Sequence, residues 1–193
     1  MLSCILDEGD EIIIPEPFYP NYSTFVTLTG ATIRPVTTKP EEGYKFAIRE
    51  RIEACINEHT RAIMFTNPGN PTGAVLTPEE MRMLVDVAKA HDLFIIGDEA
   101  YREFVYAGEP LQSMGQFEDA AENVIVIDTV SKRFSACGAR IGCMISRNKE
   151  LMAQENAILS EDTALWEKVF MAADKGMTMQ EDGKNYGEFL LDT

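Results

Sequence analysis

A chain of 193 residues that is 45% hydrophobic has room for one sizeable core, and two full domains would be crowded. Its 17 basic against 32 acidic residues leave a net charge of -15, which disfavours a phosphate backbone or an anionic membrane surface as partner. Four cysteines without a CxxC pair and two distant histidines, His59 and His91, offer no metal-ligand set, and reduced thiols in the cytoplasm fit this usage.

At the start, the apolar run Leu2 to Leu6 followed by Asp-Glu-Gly-Asp reads as the last turn of a helix. It lacks the basic flank and cleavage site of a signal peptide. Strand-sized apolar runs then recur at Glu11 to Ile14, Thr32 to Val36, Ala62 to Thr66, Phe94 to Gly97, Val124 to Thr129 and Ile141 to Ser146. Helix-period segments lie between them around Tyr22 to Thr29, Ile48 to Asn57 and Glu79 to Ala90. Cys55, on the apolar side of the second helix, is expected in the core. The third helix carries its own start signal: Thr77 as cap, Pro78 at the first helical position and Glu80 three residues after the cap. Its Met81, Leu84, Val85 and Ala88 share one face. Uniformly apolar strands separated by helices predict an α/β domain, a mostly parallel sheet with helices on both faces.

In such sheets the ligand crevice lies beyond the carboxyl ends of the strands, so the residues after each apolar run carry the information. Ile14 is followed by PEPFYPNY, Thr66 by NPGNPTG, Gly97 by DEAY and Thr129 by VSK. An isolated NPxG is ordinarily a turn, but the doubled Asn-Pro between a strand and a capped helix predicts a rigid loop that aims the Asn70 amide above the sheet. Asp98, at the end of a strand expected to be buried, has two readings. It either caps the next turn or stays ionised against a protonated ring nitrogen of a ligand. Lys132, in a loop after an apolar strand, is either a solvated surface lysine or a desolvated amine nucleophile toward an aldehyde. Arg140, flanked by Gly138 and Gly142, is either half of an ordinary salt bridge or a fork for a phosphate, the glycines letting backbone approach a bulky ligand. Arg133, beside Lys132, is read as structural.

Taken in order, PEPFYPNY, NPGNPTG, DEAY and SKRFSACGARIG resemble the class I and II aminotransferases, the pyridoxal 5'-phosphate enzymes of the aspartate aminotransferase fold. The resemblance spans Leu6 to about Glu150. It implies a cofactor-binding large domain at 1–150, and sets apart a helical and turn-rich tail at 151–193, in which Glu155 to Lys175 is expected as a helix with Ile158 and Leu159 inward. It implies that Lys132 forms the Schiff base with the cofactor aldehyde and later moves the proton between substrate Cα and cofactor. Asp98 pairs with the pyridinium nitrogen, Asn70 and Tyr101 bond the ring's phenolic oxygen, and Tyr19 stacks on the ring face. Arg140 and Thr129 hold the phosphate, with Ser131 beside them.

The implied reaction transfers an amino group between an amino acid and a 2-oxo acid, in a homodimer. The family's glycine-rich phosphate loop, a tyrosine donated across the dimer interface and a substrate-carboxylate arginine have no counterpart in these residues. Two alternatives therefore stay open: a non-catalytic cofactor-binding or dimerisation module, and a lyase of the same fold.

Overall fold

The computed structural model describes residues 1–106 and 111–161. Its frame is a six-stranded sheet in the order β2-β1-β3-β4-β5-β6, built from β1 (Glu11–Glu16), β2 (Thr32–Thr37), β3 (Thr60–Thr66), β4 (Phe94–Asp98), β5 (Val124–Thr129) and β6 (Gly142–Ser146). The first five strands are parallel, whereas β6 runs antiparallel to β5. Around them lie α1 (Leu2–Ile5), α2 (Asn21–Thr27), α3 (Arg49–Glu53), α4 (Pro78–Ala90) and α5 (Val130–Arg133), and α6 (Lys149–Glu161) follows β6 in the sequence. The strands fall within one or two residues of the apolar runs, because each run is long enough to cross the sheet once. The second helix is shorter than its periodicity suggests, ending at Glu53.

Alternation along the strands divides the apolar residues between two cores. Ile13, Ile63 and Phe65 face one, where α4 contributes Met81, Leu84, Val85 and Ala88. Ile12, Ile14 and Met64 face the other, with Tyr22 and Val26 of α2. The α4 face matches the predicted one, and its cap has both halves of the expected box: Thr77 Oγ1 accepts from the Glu80 amide at 3.2 Å, and the Glu80 carboxylate accepts from the Thr77 amide at 2.9 Å. Cys55 is half-buried and packs against the first core. Its burial pushes the thiol above the ordinary range.

The two outermost strands depart from the apolar reading. Thr32, Arg34, Pro35 and Thr37 of β2 are exposed, and so is Ile145 of β6. A strand paired on one side only has less to pack against, whatever its composition. Ile158, expected inward, is exposed as well; the expected helical residues beyond Glu161 lie outside the described residues. All four cysteines are free. Among the described residues no helix is long and apolar enough to cross a membrane, and no cluster of three metal-ligating side chains occurs.

The chain leaves β1 for the edge strand β2 and returns on the other side of β1 as β3. This reversal of strand order opens a crevice at the carboxyl ends of β1 and β3. Phe18, Tyr22, Thr66 and Asn70 line it.

Candidate active site

Asp98 ends β4, in register with Ile127 of β5 and Thr66 of β3, so it stands at the carboxyl edge of the sheet between two strands. Its Oδ1 accepts from the Ala100 amide at 3.0 Å, the local turn bond that the capping reading foresaw. Its Oδ2 accepts from the Tyr22 hydroxyl, which also contacts Thr66 Oγ1 at 2.8 Å. One carboxylate oxygen thus bonds the local turn and the other is held by Tyr22. Burial, followed by the adjacent carboxylate, pushes the Tyr22 phenol far above its ordinary range, so Tyr22 stays a donor. Gly97 precedes Asp98 for a steric reason: a Cβ there would lie 2.8 Å from Met114 Cγ.

Tyr22 is the functional residue that periodicity missed. It reads as one more aromatic on the buried face of α2, and its partner lies 76 positions away. The aromatic neighbour Tyr19 stands edge-on to it, with ring centroids 5.6 Å apart, and is itself partly exposed at the rim.

The two asparagines of NPGNPTG do different work. Asn67 is buried; its Oδ1 accepts from the Leu76 amide at 3.1 Å, closing the base of the loop. The Gly69 amide donates to the Ala74 carbonyl at 2.8 Å, which closes the loop from inside. Asn70 is thereby held outward, and its Nδ2 lies 3.4 Å from the Tyr101 hydroxyl. The Lys132 amine stands 5.6 Å from the centre of that same Tyr101 ring. Loops after β3, β4 and β5 thus meet at Tyr101.

Lys132 belongs to the single turn α5. Thr129 caps it, accepting from the Ser131 amide at 3.1 Å, and the Thr129 hydroxyl also contacts Ser131 Oγ at 2.8 Å and donates to the Ile141 carbonyl at 2.9 Å. Thr129 and Ser131 therefore form a hydroxyl pair beside the lysine, tied to the residue after Arg140.

The Arg140 side chain is less committed. It is exposed, donates to the Cys137 carbonyl at 3.3 Å, and has a left-handed φ of 50°. The flanking glycines answer to different causes. A Cβ at Gly142 would lie 3.1 Å from the Asp128 carbonyl, so that glycine serves strand approach rather than ligand approach. Gly138 faces open space.

The site residues thus gather at one edge of the sheet as an amine, a carboxylate, a phenol, an amide, two hydroxyls and a guanidinium. Such a set offers an amine able to condense with a carbonyl, a carboxylate for a protonated nitrogen, and donors for oxygen acceptors.

A profile of the family "Aminotransferase class I and II" matches residues 1–164. The aspartate aminotransferase of Bacillus subtilis (strain 168) is 37% identical over 158 residues, which cover 81% of this chain and 40% of that protein. The aspartate/prephenate aminotransferase of Thermus thermophilus is 31% identical over 189 residues, 97% of this chain and 48% of that one. Among solved structures, the aspartate aminotransferase from Thermus thermophilus with maleate superposes with a TM-score of 0.77 at 33% identity, covering 84% of this chain and 41% of that chain. The aromatic aminotransferase from Pyrococcus horikoshii OT3 gives 0.78 at 28%, covering 84% and 43%. The chain therefore spans less than half the length of these relatives.

Proposed function

The chain belongs to the class I and II aminotransferases, and we propose that it binds pyridoxal 5'-phosphate and acts in transfer of an amino group between an amino acid and a 2-oxo acid. The observation that carries this reading is the convergence on Tyr101, where Asn70 and Lys132 come from separate loops, with Tyr22 holding Asp98 at the end of the strand that leads to Tyr101. The donor set supports this reading, since each cofactor function finds at least one complementary side chain.

When bound, the cofactor supplies an electron sink for the pair left on the amino acid's Cα when its proton departs. In this reading Asp98 accepts a hydrogen bond from the ring nitrogen and keeps it protonated, with its own geometry set by Tyr22 and the Ala100 amide. Asn70 and Tyr101 bind the phenolic oxygen, and Tyr19 covers a ring face at the rim. Arg140, Thr129 and Ser131 bind the phosphate, the guanidinium exchanging its single bond to the Cys137 carbonyl for a charged acceptor. Lys132 Nζ is the covalent anchor through the aldehyde carbon. Freed by the substrate's amine, the same group would carry the proton between substrate Cα and the cofactor carbon two atoms away.

The reading extends to a homodimer. Phe134, Ile141 and Ile145 supply exposed apolar area around the Lys132 turn, and self-association is checked by size-exclusion chromatography, in which a well-behaved monomer speaks against it.

The test is spectroscopic. Purified protein given pyridoxal phosphate is expected to show an absorbance band near the visible edge. Borohydride should abolish that band and fix the added mass on the Lys132 peptide. Lys132→Ala should lose band and mass together, and a band that persists in this variant sinks the assignment. Bleaching by amino acids, with appearance of the 2-oxo acid, separates a transaminase from a binding module. Free ammonia and pyruvate from cystathionine mark a lyase instead.

A further inference from the structure

Consecutive residues at a strand end point to opposite faces, so Asp98 and Glu99 part company. Asp98 turns toward Tyr22, whereas Glu99 turns to the back of the site and is 1% exposed. Its Oε1 accepts from the Met114 amide at 2.8 Å and from Ser113 Oγ at 2.9 Å. Among the described residues its Oε2 has no hydrogen-bond partner, and it pairs with Arg102 Nη1 at 3.6 Å. The same Nη1 lies 3.8 Å from Asp128 Oδ2.

Asp128 then reaches the lysine turn from the other side. Its Oδ1 accepts from the Thr129 amide and its Oδ2 from Arg133 Nη2, both at 2.7 Å. Arg133 Nε also lies 3.2 Å from Glu103 Oε1, without the alignment of a hydrogen bond. The residue after Asp98 and the residue after Lys132 thus enter one ionic chain, Glu99–Arg102–Asp128–Arg133.

This chain matters because α5 has four residues, too few to hold a helix by cooperative backbone bonding. The turn is fixed from outside, by the Thr129 cap at its start and by the Arg133–Asp128 bond at its end. Lys132 lies between the two. Both members of that bond are largely sheltered, with side-chain exposures of 29% and 14%, which limits screening.

We propose that the Glu99–Arg102–Asp128–Arg133 network is a positioning device that aims the Lys132 amine relative to the Asp98 strand end. The proposal rests on the cofactor reading above for its consequence, though not for its geometry. It revises the assignment of Arg133 as merely structural: the side chain touches no reacting atom but holds the turn that carries one.

The test compares Arg133→Gln, Asp128→Asn, their double variant and the charge-retaining Arg133→Lys, each checked for folding by circular dichroism. Two labels are read at Lys132 by mass spectrometry: pyridoxal phosphate fixed by borohydride, which needs the aimed amine, and formaldehyde with cyanoborohydride, which needs only an accessible one. Each single variant is expected to lower the ratio of the first rate to the second about tenfold, with Arg133→Lys recovering part of it. The double variant should be no worse than either single one, because both break the same bond. Hydrogen exchange at the Ser131, Phe134 and Ser135 amides of the cofactor-free protein should accelerate in the same variants, while exchange in α4 stays as it was.

Unchanged exchange in folded Arg133→Gln and Asp128→Asn overturns the proposal. So does faster exchange with an unchanged labelling ratio, since the tie is then structural only. Should the parent chain fail to take pyridoxal phosphate at Lys132, the cofactor reading falls, and exchange alone judges the network. If the neutral variants do not fold, the proposal stands or falls on Arg133→Lys, which must show both effects at reduced size.

Discussion

The two sides of the candidate site are built differently. On the β1–β4 side, Asp98, Tyr22 and Asn67 are fixed by long-range bonds that close over packed cores. On the α5–β6 side, Lys132 rides on one turn, Phe134 and Ile141 are exposed, and Arg140 bonds only to its own loop in the described contacts. The first side is organised by apolar burial and its polar groups follow. The second is organised by charge and short-range caps, which specify geometry with little stabilisation. Changes on the first side should therefore alter stability and affinity together, and changes on the second should alter affinity alone.

The sharpest way to break that contrast is in the first core, on the face of the sheet opposite Tyr22. Leu84→Ala, at a fully buried position of α4, is expected to cost about 3 kcal/mol of unfolding free energy in urea titrations. Phe134→Ala on the other side should leave the midpoint where it is; equal losses would erase the distinction. Next comes Asp98→Ala, which should weaken pyridoxal phosphate binding on the order of a hundredfold and also lower the melting temperature, because Tyr22 loses its acceptor. Affinity and melting temperature are read from the same titration series.

Arg140→Ala should weaken binding about fivefold, by an amount that shrinks as salt is added, with no change in melting temperature. A drop in stability there would mean that the loop is better anchored than its contacts indicate. The smallest effect concerns Tyr22. A phenol whose folded pKa is raised contributes stability that is complete below the unfolded value near 10 and is lost as pH rises beyond it. Tyr22→Phe should therefore flatten the fall in stability between about pH 8 and about pH 11, measured by denaturant titration.

How much of this could be seen in the residues alone follows the same divide. The strands and the capped helix α4 are local events, so apolar runs and the Thr77–Glu80 pattern reveal them. The positions of Asn70, Asp98 and Lys132 beyond strand ends follow from α/β topology, and they meet at one edge as that topology requires. What local pattern does not disclose is pairing at a distance. Tyr22 looks like core until Asp98 is placed next to it, and Arg133 looks like a surface cation until Asp128 closes on it. Gly142 looks like room for a ligand until the β5 backbone is seen to fill that side. Exposure of the outer strands is likewise a property of where a strand sits in the sheet, which its composition does not encode.

The antiparallel return from β5 to β6 carries a further consequence. A parallel partner for β5 would need a crossover of a dozen or more residues, usually with a helix inside it. The direct reversal instead keeps Lys132 and Arg140 on one short connection whose two ends are joined where Thr129 meets Gly142. Within that connection the Phe134 amide donates to the Val130 carbonyl and the Ala139 amide to the Ala136 carbonyl, so the spacing of the two cations is set by short local bonds. A single insertion inside either strand would turn its inner and outer residues over and carry one cation to the wrong side of the sheet.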